Sequence, residues 1–515
     1  MRLRGKSLVA FALSAALTGC EGFIVPMQPP PPKSPSADKP GKLEGPPFEL
    51  TEKALEVNDL ARAEQILAEA LGPAPAEGEA LSLERAQLLG LAAELRIRQG
   101  RFEDGARNAV RALPLLPPTG TPSIKTQRGL HLRLAEAYEN AGRDGDAVTH
   151  LLASRDICRS DAALPSTDAC EVERKALFRI YIATGRYSDA EPLVLERISE
   201  VQARAGSNTL RMSEALCGAA DFYCRQGKYA LCGPLYARSI DIWKTFRDDA
   251  LAEHRRALET NQPSPFDADF TRIRARHAPF TVPCGLHEQA SILYKLGKPE
   301  VAAQAIDFER RLWTADAEVA PRAMETLGAL TAAAREGIEL ALANETLGFI
   351  HFKRGDYPNA LVYYTQARTR LASSWPTTQR AMRRVIIGSY LDILENMQTI
   401  ARAEGRFADA VLLGREAIDV AAQEVDAKDA LRLDTISLLA TTYREMRDLG
   451  RAEEFAVRYM NDIQAARGTS NPDYAWALRN LSFVALLQDQ IPRSDQLEKQ
   501  AKAIWVKNVV VAPEF

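Results

Sequence analysis

Residues 344–371, NETLGFIHFKRGDYPNALVYYTQARTRL, decide the fold. They read as a helix, a tight turn and a second helix. Gly355 closes the first helix, because glycine enters the left-handed region without a Cβ clash. Asp356 is placed to cap the second helix, whose first turn tolerates Pro358. Gly348 and Ala360 are small enough to let the two helices approach closely, with Leu347, Tyr357 and Tyr364 filling the space around that contact. The apolar residues of the first helix, Leu347, Phe349, Ile350 and Phe352, occupy more than one face. A lone hairpin buries only one such face, so this hairpin needs neighbours.

The neighbours are in the sequence. The pattern Gly-x-aromatic-x-x-small at Gly355–Ala360 recurs at Gly100-Arg101-Phe102 with Gly105, Gly185-Arg186-Tyr187 with Ala190, Gly227-Lys228-Tyr229 with Cys232, and Gly405-Arg406-Phe407 with Ala410. Looser copies start at Gly142 and Gly297. Three more keep the frame without glycine, at Asn58-Asp59-Leu60, Arg447-Asp448-Leu449 and Asp489-Gln490-Ile491. Successive key positions lie 42, 42, 43, 42, 70, 58, 50, 42 and 42 residues apart. Six of these nine intervals are 42 or 43, which is the signature of a repeat array.

These hairpins resemble tetratricopeptide repeats, and the 42-residue period is similar to the longer kinesin-light-chain type; Asn471-Pro472-Asp473-Tyr474-Ala475, leading to Leu478, Asn480 and Leu481, resembles that type's opening. The resemblance spans roughly residues 48–507. It implies an all-α fold, an α-solenoid wound as a right-handed superhelix of about ten helix-turn-helix units, with a concave surface lined by the first (A) helix of each. It further implies that a peptide or protein lies along those A helices. Carried over position by position, the candidate groove residues are Lys175, Arg179, Asp221, Arg225, Tyr294, Phe349, Phe352, Lys353, Arg402, Arg444, Arg479 and Phe483. Arginines interleaved with aromatics suit a peptide whose backbone and acidic side chains need partners.

The long intervals mark insertions near 246–283, 314–340 and 373–385. In the first, the B helix is expected to run on to about Glu259; in the second, an over-long helix is expected from near Pro321; in the third, Ser373-Ser374-Trp375-Pro376 reads as a connector. Residues 508–515 form a tail.

The amino terminus is a different object. Arg2, Arg4 and Lys6 precede a short apolar run, Leu8–Leu17, that ends in Leu17-Thr18-Gly19-Cys20. The run is too short to span a bilayer as a helix. The motif resembles the bacterial lipoprotein signal, which implies cleavage after residue 19, acylation of Cys20 and a lipid anchor in the membrane. Glu21 follows where an aspartate would resemble the inner-membrane retention signal, so outer-membrane placement facing the periplasm is expected. Residues 20–47 are proline-rich and read as an extended, solvated tether.

Composition excludes other classes. Charged residues make up 26% and the formal net charge is −3, with no basic cluster, so no nucleic-acid partner is expected. No Walker, Rossmann, nucleophile-elbow or zinc-protease motif is present, so no cofactor and no enzymatic activity are expected. Of the seven cysteines, removal of Cys20 leaves an even six for an oxidising compartment. Cys158 and Cys170 flank a short linker and form the expected bridge, worth about 3 kcal/mol in a loop of that size. The pairing of Cys217, Cys224, Cys232 and Cys284 stays open, with Cys232 at a small-residue position where a buried thiol also fits. Cys284-x-x-His287 lacks the further ligands of structural zinc, so no metal is expected. The chain therefore reads as a membrane-anchored interaction scaffold of the cell envelope. Three alternatives remain: an assembly factor or pilotin for an envelope machine, a structural spacer, or an enzyme whose site lies in 246–283.

Overall fold

The computed structural model describes residues 45–72, 82–117, 120–160, 170–260, 338–375 and 378–508, and among them every regular element is helical. In order these are α1 (Pro47–Glu56), α2 (Leu60–Leu71), α3 (Leu83–Arg98), α4 (Phe102–Ala112), a 3-10 turn (Leu113–Leu115), α5 (Thr121–Asn140), α6 (Asp144–Ser160), α7 (Glu171–Ala183), α8 (Tyr187–Ala205), α9 (Leu210–Arg225) and α10 (Tyr229–Thr260). They continue as α11 (Ile338–Lys353), α12 (Tyr357–Ser374), α13 (Arg380–Ala403), α14 (Phe407–Glu424), α15 (Ala430–Glu445), α16 (Leu449–Arg467), α17 (Pro472–Leu487) and α18 (Ile491–Lys507). Odd-numbered helices are the A helices and even-numbered ones the B helices of nine hairpins. The copy keyed on Gly297 lies outside the described residues.

One local device builds all nine turns. Each key residue adopts positive φ, from 57° at Asn58 to 79° at Gly142, and Arg447 and Asp489 do so as well as the glycines. The left-handed residue lets the next N–H fold back onto the last turn of the A helix, as in Asp59 N→Ala54 O (2.8 Å), Asp356 N→His351 O (2.9 Å) and Gln490 N→Ala485 O (2.9 Å). The B helix then starts from a cap. Asp59, Asp356 and Asp448 accept from Arg62, Asn359 and Arg451 N–H. Where arginine follows the key residue, its guanidinium instead reaches the aspartate three residues on, at 2.7 Å for Arg101–Asp104, Arg143–Asp146 and Arg186–Asp189 and 2.6 Å for Arg406–Asp409. Those aspartates also sit in the first helical turn, where the helix dipole favours a negative charge.

The small position five residues after the key residue is where A and B helices meet. Ala63, Ala147, Ala190, Cys232, Ala360, Ala410 and Ala452 are 0% exposed. In the opening stretch a Cβ on Gly348 would stand 2.6 Å from the ring of Tyr364, itself fully buried. Cores form between consecutive hairpins: Leu55, Ala63 and Ile66 pack with Leu88, Leu91 and Leu95, and Ile97 and Ala109 pack with Leu130 and Leu134. Each such leucine contributes about 1.5–3 kcal/mol.

The described residues form two compact units. One comprises 45–182 with 378–385, and the other comprises 183–375 with 386–508. The first unit explains the third insertion. Ser373 and Ser374 are the last residues of α12, so they are helix and the connector is shorter than expected. The residues after it grip the first unit: Gln379 Nε2 donates to Ile97 O (3.3 Å), Ala381 N donates to Asn140 Oδ1 (3.1 Å), and Arg384 bonds Asp144 (3.0 and 2.8 Å) and Glu139 (3.3 Å). Burial works against the charge on Arg384, but the Asp144 and Glu139 carboxylates outweigh it and hold the guanidinium above its ordinary pKa. In the second unit α10 extends through Thr260. The helix expected from Pro321, like the rest of the 246–283 insertion, lies outside the described residues.

Candidate partner-binding face

The A helices carry a row of arginines, and several are held by carboxylates one repeat away. In the first unit Arg133 reaches Glu94 (2.6 Å), Arg128 binds Glu173 through two nitrogens (2.7 and 3.0 Å), and Arg179 binds Glu139 the same way (3.0 and 2.7 Å). Burial raises the pKa of Glu173, but donation from Arg128 and Ser154 outweighs it, leaving the carboxyl below its ordinary value. In the second unit Arg402 binds Glu445 across α13 and α15 at 2.9 and 2.7 Å, with 4% of its side chain exposed. Two planar bidentate bonds fix the mutual height of neighbouring repeats as well as their charge balance.

Arg225 is taken by a different partner. Its Nη1 donates to Asp429 Oδ2 (3.2 Å), which also accepts from Tyr187 Oη (3.4 Å). Burial, then the Asp429 charge, pushes the Tyr187 phenol far above its ordinary pKa, so it stays a donor. Next to it Arg467 Nη2 donates to Arg225 O (2.6 Å), Asn471 Nδ2 donates to Gly227 O (3.1 Å), and Tyr229 Oη donates to Asp473, which also pairs with Arg467. The turns at Gly185 and Gly227 thus hold segments roughly 240 residues later, as the separations of 242 and 244 record.

The remaining candidates are half-buried. Lys353 Nζ lies 5.1 Å from the Phe349 ring centre, and Phe352 stacks with Tyr357. Lys175 pairs with Glu171 at 2.8 Å on its own helix, and Asp221 accepts from Tyr236 Oη. The densest group is at the last two repeats: the Arg444 and Arg479 guanidinium groups both lie over the Phe483 ring, at 5.4 and 5.5 Å, and Arg479 also covers Trp505 at 5.4 Å. Guanidinium–ring contacts of this kind are electrostatic attractions that hold the rings in place. Glu498 lies 3.9 Å from Arg479. Trp505 belongs to α18 and was not in the predicted row; the A-helix frame alone does not reach a B-helix residue. Tyr294 and Cys20 lie outside the described residues.

The cysteines form crosslinks. Cys158 joins Cys170, closing the linker between α6 and α7, and Cys224 joins Cys232 across the Gly227 turn. Cys217 is also disulfide-bonded. Cys232 is thus both the small residue of its hairpin and half of a bridge. His351 is 9% exposed, bonds Asp356 at 2.9 Å and stacks on Tyr363, so it belongs to the hairpin. Among the described residues no group of three or more metal-ligating side chains converges, and no helix is long and apolar enough to cross a membrane.

No family model matches the chain, and no curated protein matches it. Solved structures do. A chain of "Structure of Naa15/Naa10 bound to HypK-THB" is 14% identical with a TM-score of 0.29, covering 89% of this chain and 63% of its own length. The yeast Tom70 crystal structure is 11% identical with a TM-score of 0.27, covering 90% of this chain and 95% of its own. A chain of the APC/C hetero-tetramer Cut9-Hcn1 is 13% identical with a TM-score of 0.26, covering 90% of this chain and 88% of its own. This chain therefore spans less than two thirds of the Naa15/Naa10 chain it matches. At such identities and scores these likenesses say nothing of partner or activity, and the functional reading rests on the chain's own residues.

Proposed function

We propose that this protein is a lipid-anchored helical-repeat scaffold of the bacterial cell envelope, held by Cys20 and a proline-rich tether at the outer membrane, that binds a protein or peptide along its A helices. The observation that carries the binding half is the stack of Arg444, Phe483, Arg479 and Trp505 on the last two repeats, half-buried aromatic faces edged by guanidinium groups. Such a surface suits a segment with aromatic and acidic side chains. Arg179, Arg225 and Arg402 contribute by fixing the helices, since each is bound by an internal carboxylate. The sequence Leu17-Thr18-Gly19-Cys20 after a basic and apolar leader supports the anchor.

Cross-linking pull-down from intact envelopes tests the reading. The partner recovered with the wild-type chain is expected to be lost with Phe483→Ala plus Arg444→Ala while helical content is kept. Recovery of the same partner from that double variant contradicts binding at this face. For the anchor, Cys20→Ser is expected to release the protein from membranes, and continued membrane association contradicts it.

A further inference from the structure

Four grips on the later repeats come from the five residues 225–229. Cys224 and Cys232, eight residues apart, are disulfide-bonded, and between them lie Arg225, Gly227 and Tyr229. Arg225 holds Asp429 through its side chain and Arg467 through its carbonyl; Gly227 O holds Asn471; Tyr229 holds Asp473. Two of the held residues are also helix caps. Asp429 caps α15 by accepting from Leu431 N–H (3.0 Å), and Asn471 caps α17 by accepting from Asp473 N–H (2.9 Å). Those two helices carry Arg444, Arg479 and Phe483. A covalent clip around the gripping turn therefore bears on the starts of the two helices that carry the candidate binding face.

We propose that the Cys224–Cys232 disulfide is a redox-sensitive clip that sets the seating of α15 and α17 and thereby controls partner binding at their face. The consequence for binding rests on the function proposed above; the seating itself does not. The chemistry balances with a dithiol as co-reactant. Its thiolate attacks Sγ of Cys224, the less buried residue of the pair, and the Cys224–Cys232 bond breaks, releasing Cys232 as a thiolate that takes up a proton. The second thiol of the reductant then displaces Cys224, which also leaves as a thiolate and is protonated. Two electrons and two protons enter the protein and the dithiol becomes a disulfide. Cys232 is 0% exposed, so the sulfur that leaves first is buried in the hairpin and lies ready to re-form the bond. Without the bond the turn keeps its Gly227 geometry but loses the crosslink that restricts Arg225 and Tyr229, and the four grips must then be held by that turn alone.

Amide hydrogen exchange on the full-length protein reads the seating. The Cys224→Ser plus Cys232→Ser variant is expected to lose protection at 429–433 and 471–475, where the amides of Leu431, Leu433, Asp473 and Ala475 are bonded to the two caps, with 102–112 unchanged. Cys158→Ser plus Cys170→Ser is the control and is expected to leave 429–433 and 471–475 protected. Because the variant can fail to fold, folded wild-type protein is also treated with a dithiol until peptide mapping finds Cys224 and Cys232 reduced, then reoxidised, with protection expected to fall and return. Unchanged protection at both segments in the reduced protein overturns the clip. The pull-down is run in parallel. Loss of protection with undiminished capture of the partner overturns the control of binding while leaving the clip intact, and capture that survives Phe483→Ala plus Arg444→Ala counts against the face itself.

Discussion

The turns at Gly227 and Gly405 are built on the same pattern and do different work. Both glycines have left-handed backbone, with φ of 68° and 73°, and both precede a basic residue and an aromatic. At Gly405 nothing lies within 4 Å of the place a Cβ would take, whereas at Gly227 that place is 3.0 Å from Arg467 and Asn471. Gly185 is tighter still, at 2.6 Å from Asp426 Oδ2, and Gly355 is as open as Gly405. The repeat motif specifies how a hairpin turns; which chain segment packs on the turn depends on where the hairpin stands in the array.

The sharpest break in this comparison is expected at the charges that pack on the Gly227 turn. Arg467 and Asp473 pair with 4% and 0% of their side chains exposed, so Arg467→Ala strands a buried carboxylate and is expected to cost about 3–5 kcal/mol in urea unfolding. The exposed Arg406, 42% exposed beside the open turn, is expected to cost less than about 1 kcal/mol as Arg406→Ala.

In the repeat with the open Gly355 turn, the vulnerable group is inside the hairpin. Burial pushes the Glu345 carboxyl up from 4.5 to about 8. Unfolded Glu345 ionises above pH 4.5 while the folded side chain keeps its proton, so this residue's penalty is absent below pH 4.5, grows as pH rises and is complete above about 8. Glu345→Gln is therefore expected to stabilise the protein at pH 8, by on the order of a few kcal/mol, and to leave it unchanged at pH 4. Equal effects at the two pH values contradict this assignment.

Glycine substitutions grade the turns directly. Gly405→Ala is expected to cost about 1–2 kcal/mol for left-handed strain alone, and Gly185→Ala on the order of 1 kcal/mol more, because Asp426 must also move. One turn substitution runs the other way. Arg447 holds a φ of 65° that its Cβ resists, so Arg447→Gly is expected to raise stability by roughly 1 kcal/mol, read as a shift in the urea midpoint.

Much of the fold was legible because it is local. The 42-residue frame identified Asn58, Arg447 and Asp489 as turn positions despite the missing glycine, and each has the left-handed backbone the frame demands. The same frame marked the small positions that are buried in every described hairpin. Less of the binding face was legible, because an arginine at an A-helix position has the same spacing whether it faces a ligand or a carboxylate. Arg179, Arg225 and Arg402 lie on carboxylates at separations of 40, 204 and 43 residues. The pairs near one repeat length leave a signal, an acid and a base offset by about the period; Arg225 with Asp429 leaves none. The grip of residues 379–384 on the first unit is hidden for the same reason, since the three sequence residues Gln379, Arg380 and Arg384 carry no pattern of their own.

A double-mutant cycle on Arg225 and Asp429 tests the division between gripping and open turns most directly. Arg225→Met, Asp429→Asn and the double variant are compared by urea unfolding. If the turn at Gly227 truly holds the start of α15, the two changes couple by about 1–3 kcal/mol. Additivity within about 0.3 kcal/mol would contradict it.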